Sequence, residues 1–173
     1  MERPRRRPNR LKDFDYSGNG MYFVTVCTEK QTSLFWMEDT TGEGSPVGAN
    51  CVRPPEGFRL SAVGRMAAAE IERWPEIYPG VRAVQYVIMP NHLHILLEIG
   101  FVEEGRTQFA PTGKVSLSRI IQQFKGAVSK NAGRPLWQKG FYESVIRSEQ
   151  HLLDTWQYIV ENPRKWADDE YYT

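Results

Sequence analysis

Two apolar runs, Val84 to Ile88 and His92 to Ile99, are separated only by Met89-Pro90-Asn91. Proline and asparagine favour a tight turn, and flanking β-branched residues favour strands, so the spacing predicts an antiparallel hairpin. A hairpin fixes which side chains share a face. His92 and His94 stand two residues apart and project to one side, whereas Leu93, Ile95, Leu97 and Ile99 project to the other. Two imidazoles on one face can supply two ligands to a divalent ion, but a metal site needs further donors and partners that fix the rings. The tripeptide alone suits metal ligation and a strand of packed histidines equally.

The rest of the chain alternates strand and helix signals. Met21 to Thr28 is rich in aromatic and β-branched residues, follows Ser17-Gly18-Asn19-Gly20, and reads as a central strand. Glu38 to Gly57 carries Gly, Pro, Thr and Asp without periodicity and reads as a surface loop. Ser61 can open a helix through Val63, Met66, Ala67, Ile71 and Trp74, which Pro75 stops. After a loop from Gly100 to Gly113, Leu117, Ile120, Ile121, Phe124 and Val128 repeat at helical spacing until Gly133 and Pro135. Phe141 to Ile146 forms a fourth strand, and Ser148 caps a last helix that reaches Asn162 and is closed by Pro163. This order predicts an α+β fold. Its simplest packing is a ferredoxin-like, antiparallel four-stranded sheet carrying helices on one face.

At 173 residues the chain suits one domain spanning 1–173, with a basic N-terminal arm over about residues 1–15. A hydrophobic content of 40% and a charged content of 25% exclude disordered and fibrous classes. The longest apolar stretch, Val87 to Ile99, is broken by Pro90, Asn91, two histidines and Glu98, and no signal region opens the chain, so no membrane association and a cytoplasmic location are expected. Cys27 and Cys51 are too few for a disulfide scaffold. The net charge of +1 conceals two basic segments. One holds Arg3, Arg5, Arg6, Arg7, Arg10 and Lys12; the other includes Arg119, Lys125 and Lys130. Such clusters attract polyanions, and equally serve as solvated faces.

In the last helix Leu152, Leu153, Trp156, Ile159 and Val160 form one apolar stripe, and Tyr158 lies nearly opposite its centre. At roughly 100° per residue Asn162 falls about 40° from Tyr158 and one turn on, so phenol and amide share a face, with His151 on it two turns earlier. A tyrosine off the stripe can be a surface residue or a functional one.

Five segments together resemble the REP-associated tyrosine transposases, which belong with the single-tyrosine HUH transposases of small insertion sequences. They are Tyr22-Phe23-Val24-Thr25-Val26-Cys27-Thr28, Tyr86-Val87-Ile88-Met89-Pro90-Asn91-His92-Leu93-His94, Ile120-Ile121-Gln122-Gln123-Phe124-Lys125, Leu136-Trp137-Gln138-Lys139-Gly140-Phe141-Tyr142-Glu143 and Tyr158-Ile159-Val160-Glu161-Asn162-Pro163. They occur in the family's order and span nearly the whole chain.

The resemblance implies that His92 and His94 are metal ligands, that Tyr158 on the C-terminal helix is the nucleophile, and that Asn162 completes the metal site. It implies a Mg²⁺ or Mn²⁺ cofactor and hairpin-bearing single-stranded DNA as partner, cut and rejoined near REP-like palindromes through a 5′-phosphotyrosine, with nucleoid association when DNA is bound and no obligate protein partner. Arg5, Arg6, Arg7, Arg119, Lys125 and Lys130 are the candidate phosphate contacts. One departure is Ser144, where family members often carry His after the Tyr-Glu pair. Two other classes stay open from the residues: a non-catalytic single-stranded nucleic-acid-binding module of the same fold, and a metal-dependent hydrolase that uses water and is indifferent to Tyr158.

Overall fold

The computed structural model describes residues 19–42, 44, 46–100, 115–169 and 171–172. The expected basic arm, with Arg5, Arg6 and Arg7, lies outside them. Four long strands run antiparallel: β1 (Gly20–Cys27), β5 (Val81–Ile88), β6 (His92–Ile99) and β7 (Tyr142–Val145). Between β1 and β5 come three short strands, β2 (Trp36–Glu38), β3 (Cys51–Val52) and β4 (Phe58–Leu60). The sheet order is β3-β5-β6-β1-β7, and β2 pairs with β4 in a separate two-stranded sheet.

The four-stranded, wholly antiparallel sheet is therefore corrected to a five-stranded mixed one. β3 pairs in parallel with β5, Cys51 opposite Tyr86 and Val52 opposite Val87. The expected loop from Glu38 to Gly57 holds this strand because Asn50 fastens it twice: its carbonyl accepts from the Tyr86 amide at 2.9 Å, and its side chain donates to the Ala83 carbonyl at 3.1 Å. A two-residue strand has no period to read.

The hairpin forms as expected, with Met89 N–H donating to the His92 carbonyl at 2.8 Å. Its side chains divide two packing layers. On one face Tyr22, Val24, Val26, Leu93, Ile95 and Leu97 are buried in the main core with residues of α1 (Ala62–Glu72) and α3 (Leu117–Asn131). Ser61 and Ser116 cap those helices through the amides of Gly64 and Arg119. Pro75 ends α1 as expected, but by sitting in the first turn of a short helix, α2 (Trp74–Ile77), where its missing N–H costs nothing.

On the other face Val87, Met89 and Leu96 form a smaller cluster with Ile159 of α4 (Glu149–Glu161). Helices thus cover both faces rather than one. The expected stripe on α4 is also turned: Leu153 is 56% exposed, Trp156 and Val160 are exposed too, and the buried residues are Thr155 and Ile159. The helix has rotated by roughly a quarter turn from its apolar moment. Burial of Thr155 is inexpensive because its hydroxyl donates to the His151 carbonyl at 2.7 Å. The helix ends at Asn162 just before Pro163, as expected, and the chain continues as a 3-10 turn, Asn162–Asp168. Among the described residues no helix is long and apolar enough to cross a membrane.

The docking of α4 generates a comparison of two leucine-sized side chains on one helix. Ile159→Ala should lower unfolding free energy by about 2–5 kcal/mol, while Leu153→Ala should change it by about 0.5 kcal/mol or less. Urea denaturation of the two variants checks this; equal costs would restore the stripe read from periodicity.

Candidate active site

The site begins with the turn between β5 and β6. The Pro90 carbonyl accepts from the amides of Leu34 and Phe35 at 2.8 and 3.0 Å, and the Asn91 carbonyl accepts from the Thr28 amide and hydroxyl, each at 2.9 Å. Asn91 is completely buried. Its side-chain nitrogen donates to the carbonyls of Gln31 (3.1 Å) and Tyr171 (2.8 Å), which fixes the orientation of the amide. Its oxygen, 2.9 Å from His92 Nδ1, must then be an acceptor, so Nδ1 of His92 carries the hydrogen and Nε2 keeps its lone pair.

That lone pair points at the second histidine, with His92 Nε2 and His94 Nε2 3.0 Å apart. For the pair to be hydrogen-bonded, His94 must donate from Nε2. Its Nδ1 is then the acceptor for the Thr25 hydroxyl, 2.9 Å away on the neighbouring strand, where register sets Thr25 opposite His94. Phe23 stacks on the His94 ring with centroids 5.2 Å apart. Both imidazoles are buried. Burial pushes the proton affinity of His92 down to about 3, and burial together with the charge of His92 holds His94 well below the ordinary imidazole value.

α4 brings the remaining groups. Tyr158 is 43% exposed, sits edge-on to Phe23, and places its Oη 3.3 Å from His94 Nε2. One turn on, Asn162 is buried, and its side-chain oxygen has no hydrogen-bond partner among the described residues. Tyr158, Asn162 and Asp169 line one cavity of about 550 Å³, together with Asp154, Glu161 and Asp168. The 3-10 turn carries Asp169 back to the histidines: its carboxylate oxygen is 4.0 Å from His92 Nε2, and the ligand atoms of His92, His94 and Asp169 all lie within 4.8 Å of one another. With a neutral imidazole this is a group of donors rather than an ion pair. Two neutral imidazoles, a carboxylate and an orphaned buried amide oxygen make a donor set that can hold a divalent ion.

The structure thus brings together His92, His94, Tyr158 and Asn162 of the residues singled out from sequence. Arg119 and Lys130 are exposed on α3, the helix packed behind the opposite face of the sheet. Lys125 spends its ammonium on the carbonyls of Gln138 (2.5 Å) and Gly140 (2.7 Å), and burial lowers its proton affinity. Ser144 stands opposite Phe23 in the β1–β7 pairing, so it occupies the site face of the sheet. Asp169, Asn91 and Thr25 were not singled out. Thr25 left a signal, as the one polar residue among Tyr22, Phe23, Val24 and Val26; Asp169 left none, because its position depends on the 3-10 turn.

Both histidines bind protons less readily in the folded state than the usual 6.5 of imidazole. The unfolded chain therefore takes up protons that the folded chain refuses once pH falls below 6.5, so their stabilisation is full above 6.5 and is lost as pH drops toward about 3. NMR of the imidazole carbons should show His92 and His94 neutral down to about pH 5. Titration of either ring near 6.5 would contradict the buried arrangement.

No established family model matches the chain. A Haemophilus influenzae protein described only as uncharacterized is 30% identical over 182 residues, covering 96% of this chain and 93% of its own length. A second protein of that organism, described as a candidate REP-associated tyrosine transposase, is 23% identical over 159 residues, covering 87% of this chain and 74% of its own. A solved structure of the REP-associated tyrosine transposase bound to a REP hairpin shares the fold at a TM-score of 0.56 and 19% identity, covering 90% of this chain and 74% of that one. The chain is thus similar over most of its length to a protein described as a candidate REP-associated tyrosine transposase, and it shares the fold of a solved one.

Proposed function

We propose that this protein is a metal-dependent single-stranded DNA endonuclease and strand transferase that acts beside REP-like hairpins through a 5′-phosphotyrosine. The observation that carries the reading is the exposed phenol of Tyr158 lying 3.3 Å from Nε2 of a buried, neutral histidine pair. Hairpin DNA as the substrate is supported by the relative that was solved bound to a REP hairpin.

His92, His94 and Asn162 would hold the Mg²⁺ or Mn²⁺, with Asp169 as a further oxygen donor beside His92. Such an ion, when bound, polarises a phosphodiester and offsets the charge that develops on it. Tyr158 does the bond exchange. Its oxygen attacks phosphorus and gives up the phenolic proton; the bond from phosphorus to the 3′ oxygen breaks, and that oxygen leaves with the electron pair and is protonated to a 3′-hydroxyl. A phosphodiester is replaced by a phosphotyrosine diester, so rejoining by a 3′-hydroxyl needs no ATP. Exposure of Tyr158 lets a strand reach the phenol while the imidazoles stay out of water. Phe23, in contact with both His94 and Tyr158, orients the two rings against each other.

Arg5, Arg6 and Arg7 of the basic arm, with Arg119 and Lys130, supply phosphate contacts that position DNA without reading its bases. Lys125 is the least suited of the candidates, since its ammonium already serves two carbonyls. The one-domain organisation of residues 1–173 and a cytoplasmic, nucleoid-associated location complete this reading.

Incubation with labelled hairpin-flanked single-stranded DNA and Mn²⁺, followed by a denaturing gel, tests the chemistry. Tyr158→Phe should keep DNA and metal binding and lose nicking and the covalent adduct by on the order of 10³-fold or more. A protease-sensitive adduct persisting in that variant would make another tyrosine the nucleophile, and nicking without an adduct would make water the attacker.

His92→Ala and His94→Ala should each abolish Mn²⁺ binding in calorimetric titration, and Asp169→Asn should weaken it. Unchanged affinity in both histidine variants would remove the pair from the metal site.

A further inference from the structure

Beside the histidines the fold gathers aromatic rings from separate parts of the chain. Trp166 of the 3-10 turn lies 6.0 Å from the His92 ring, centroid to centroid. Trp36 of β2 contacts Trp166 at 6.4 Å, Phe58 of β4 contacts Trp36 at 5.6 Å, and Tyr172 contacts Trp166 at 5.3 Å. The array runs unbroken from the surface to the site. Trp36 and Phe58 share one face of the β2–β4 sheet, since Glu38 pairs with Phe58 and Trp36 with Leu60.

Trp36 and Trp166 pack against the cluster of Val87, Met89, Leu96 and Ile159, but packing does not account for the outer rings. Phe58 is 44% exposed and Tyr172 55%, and both tryptophans remain only half-buried. Large rings contribute most to a core when they are enclosed, and solvent-facing aromatic sets commonly mark binding surfaces. The orientation of Trp36 is held by its indole N–H, which donates to the Ile88 carbonyl at 2.5 Å. That carbonyl closes the strand before the Met89-Pro90-Asn91 turn, so the ring is tied to the backbone that presents His92.

We infer that the array formed by Phe58, Trp36, Trp166 and Tyr172 is a stacking subsite for unpaired bases of the single-stranded DNA next to the scissile phosphate. The inference rests on the proposed endonuclease function and names how the strand beside the reacting bond is held. Nucleobases are planar and every one has a face that stacks on an aromatic side chain, so such a platform fixes the path of a strand without reading its sequence.

The experiment uses the full chain and an oligodeoxynucleotide hairpin with a single-stranded flank, each flank nucleotide being replaced in turn by an abasic residue. Affinity is measured by fluorescence anisotropy, and the adduct is scored on the same oligonucleotides. An abasic residue at one or two positions should weaken wild-type binding by about 5-fold or more. Phe58→Ala should weaken the intact oligonucleotide by a similar factor and remove its advantage over the abasic one, and Phe58→Trp should restore both. A flat abasic scan in the wild-type protein, or equal weakening of intact and abasic DNA by Phe58→Ala, would overturn the proposal. So would a change of oligomeric state in Phe58→Ala with base dependence intact. A flat scan with the Tyr158 adduct present defeats the subsite alone, whereas ring-dependent base binding without any adduct defeats the endonuclease reading alone.

Discussion

The pairing of β1 with β6 is the constraint on which the rest of the structure depends. It sets Thr25 opposite His94 and Cys27 opposite His92, and it places β6 between two neighbours so that every backbone group near the histidines is committed to the ladder. A slip of one residue would exchange the two faces, sending His92 and His94 into the core beneath α1 and α3 and bringing Leu93 and Ile95 under α4. Both faces of β6 are buried, one by a large apolar layer and the other by the site and α4. The apolar layer therefore enforces the register that the site requires.

The two layers differ in what they ask of a side chain. Beneath α1 and α3 the requirement is volume, met by residues such as Tyr22, Ile71, Trp74 and Phe124 that are almost completely enclosed. Beneath α4 the requirement is satisfied polarity in a dry setting. Asn91 meets it with three hydrogen bonds, His92 and His94 by staying neutral, and Thr25 through its hydroxyl. Buried polar groups are tolerable only when partnered, which is why the unpartnered oxygen of Asn162 is conspicuous in this layer. Tyr158 is set apart by being half in solvent, at the boundary between the enclosed imidazoles and any incoming strand.

Much of this was legible in the sequence, for physical reasons that differ from element to element. The hairpin was readable because a period of two over Leu93, Ile95, Leu97 and Ile99 meets a strong turn signal. The caps at Ser61, Ser116 and Ser148 are local devices whose partners lie three residues away, although only Ser61 and Ser148 were read in advance. The parallel strand β3 escaped because two residues carry no alternation and its fastening comes from Asn50 across the sheet. The face of α4 escaped because the helix is placed by what lies beneath it, and Val87, Met89 and Leu96 take Ile159 and the edge of the stripe at Leu152 rather than its centre. The site was legible in His92, His94, Tyr158 and Asn162 through resemblance and helical spacing, whereas Asp169 is delivered by a 3-10 turn beyond the helix that carries no sequence period.

Thr25 has a consequence for how protons are arranged around His94. A threonine hydroxyl can donate or accept by rotating one bond, so it pairs equally well with His94 Nδ1 bare or protonated. Asn91 offers His92 no such freedom, because its amide is clamped by two carbonyls. One ring is thus locked in a single tautomer, while its neighbour can relocate its hydrogen from Nε2 to Nδ1 without displacing a heavy atom. The pair can pass from holding each other to holding something between them by the turn of a hydroxyl.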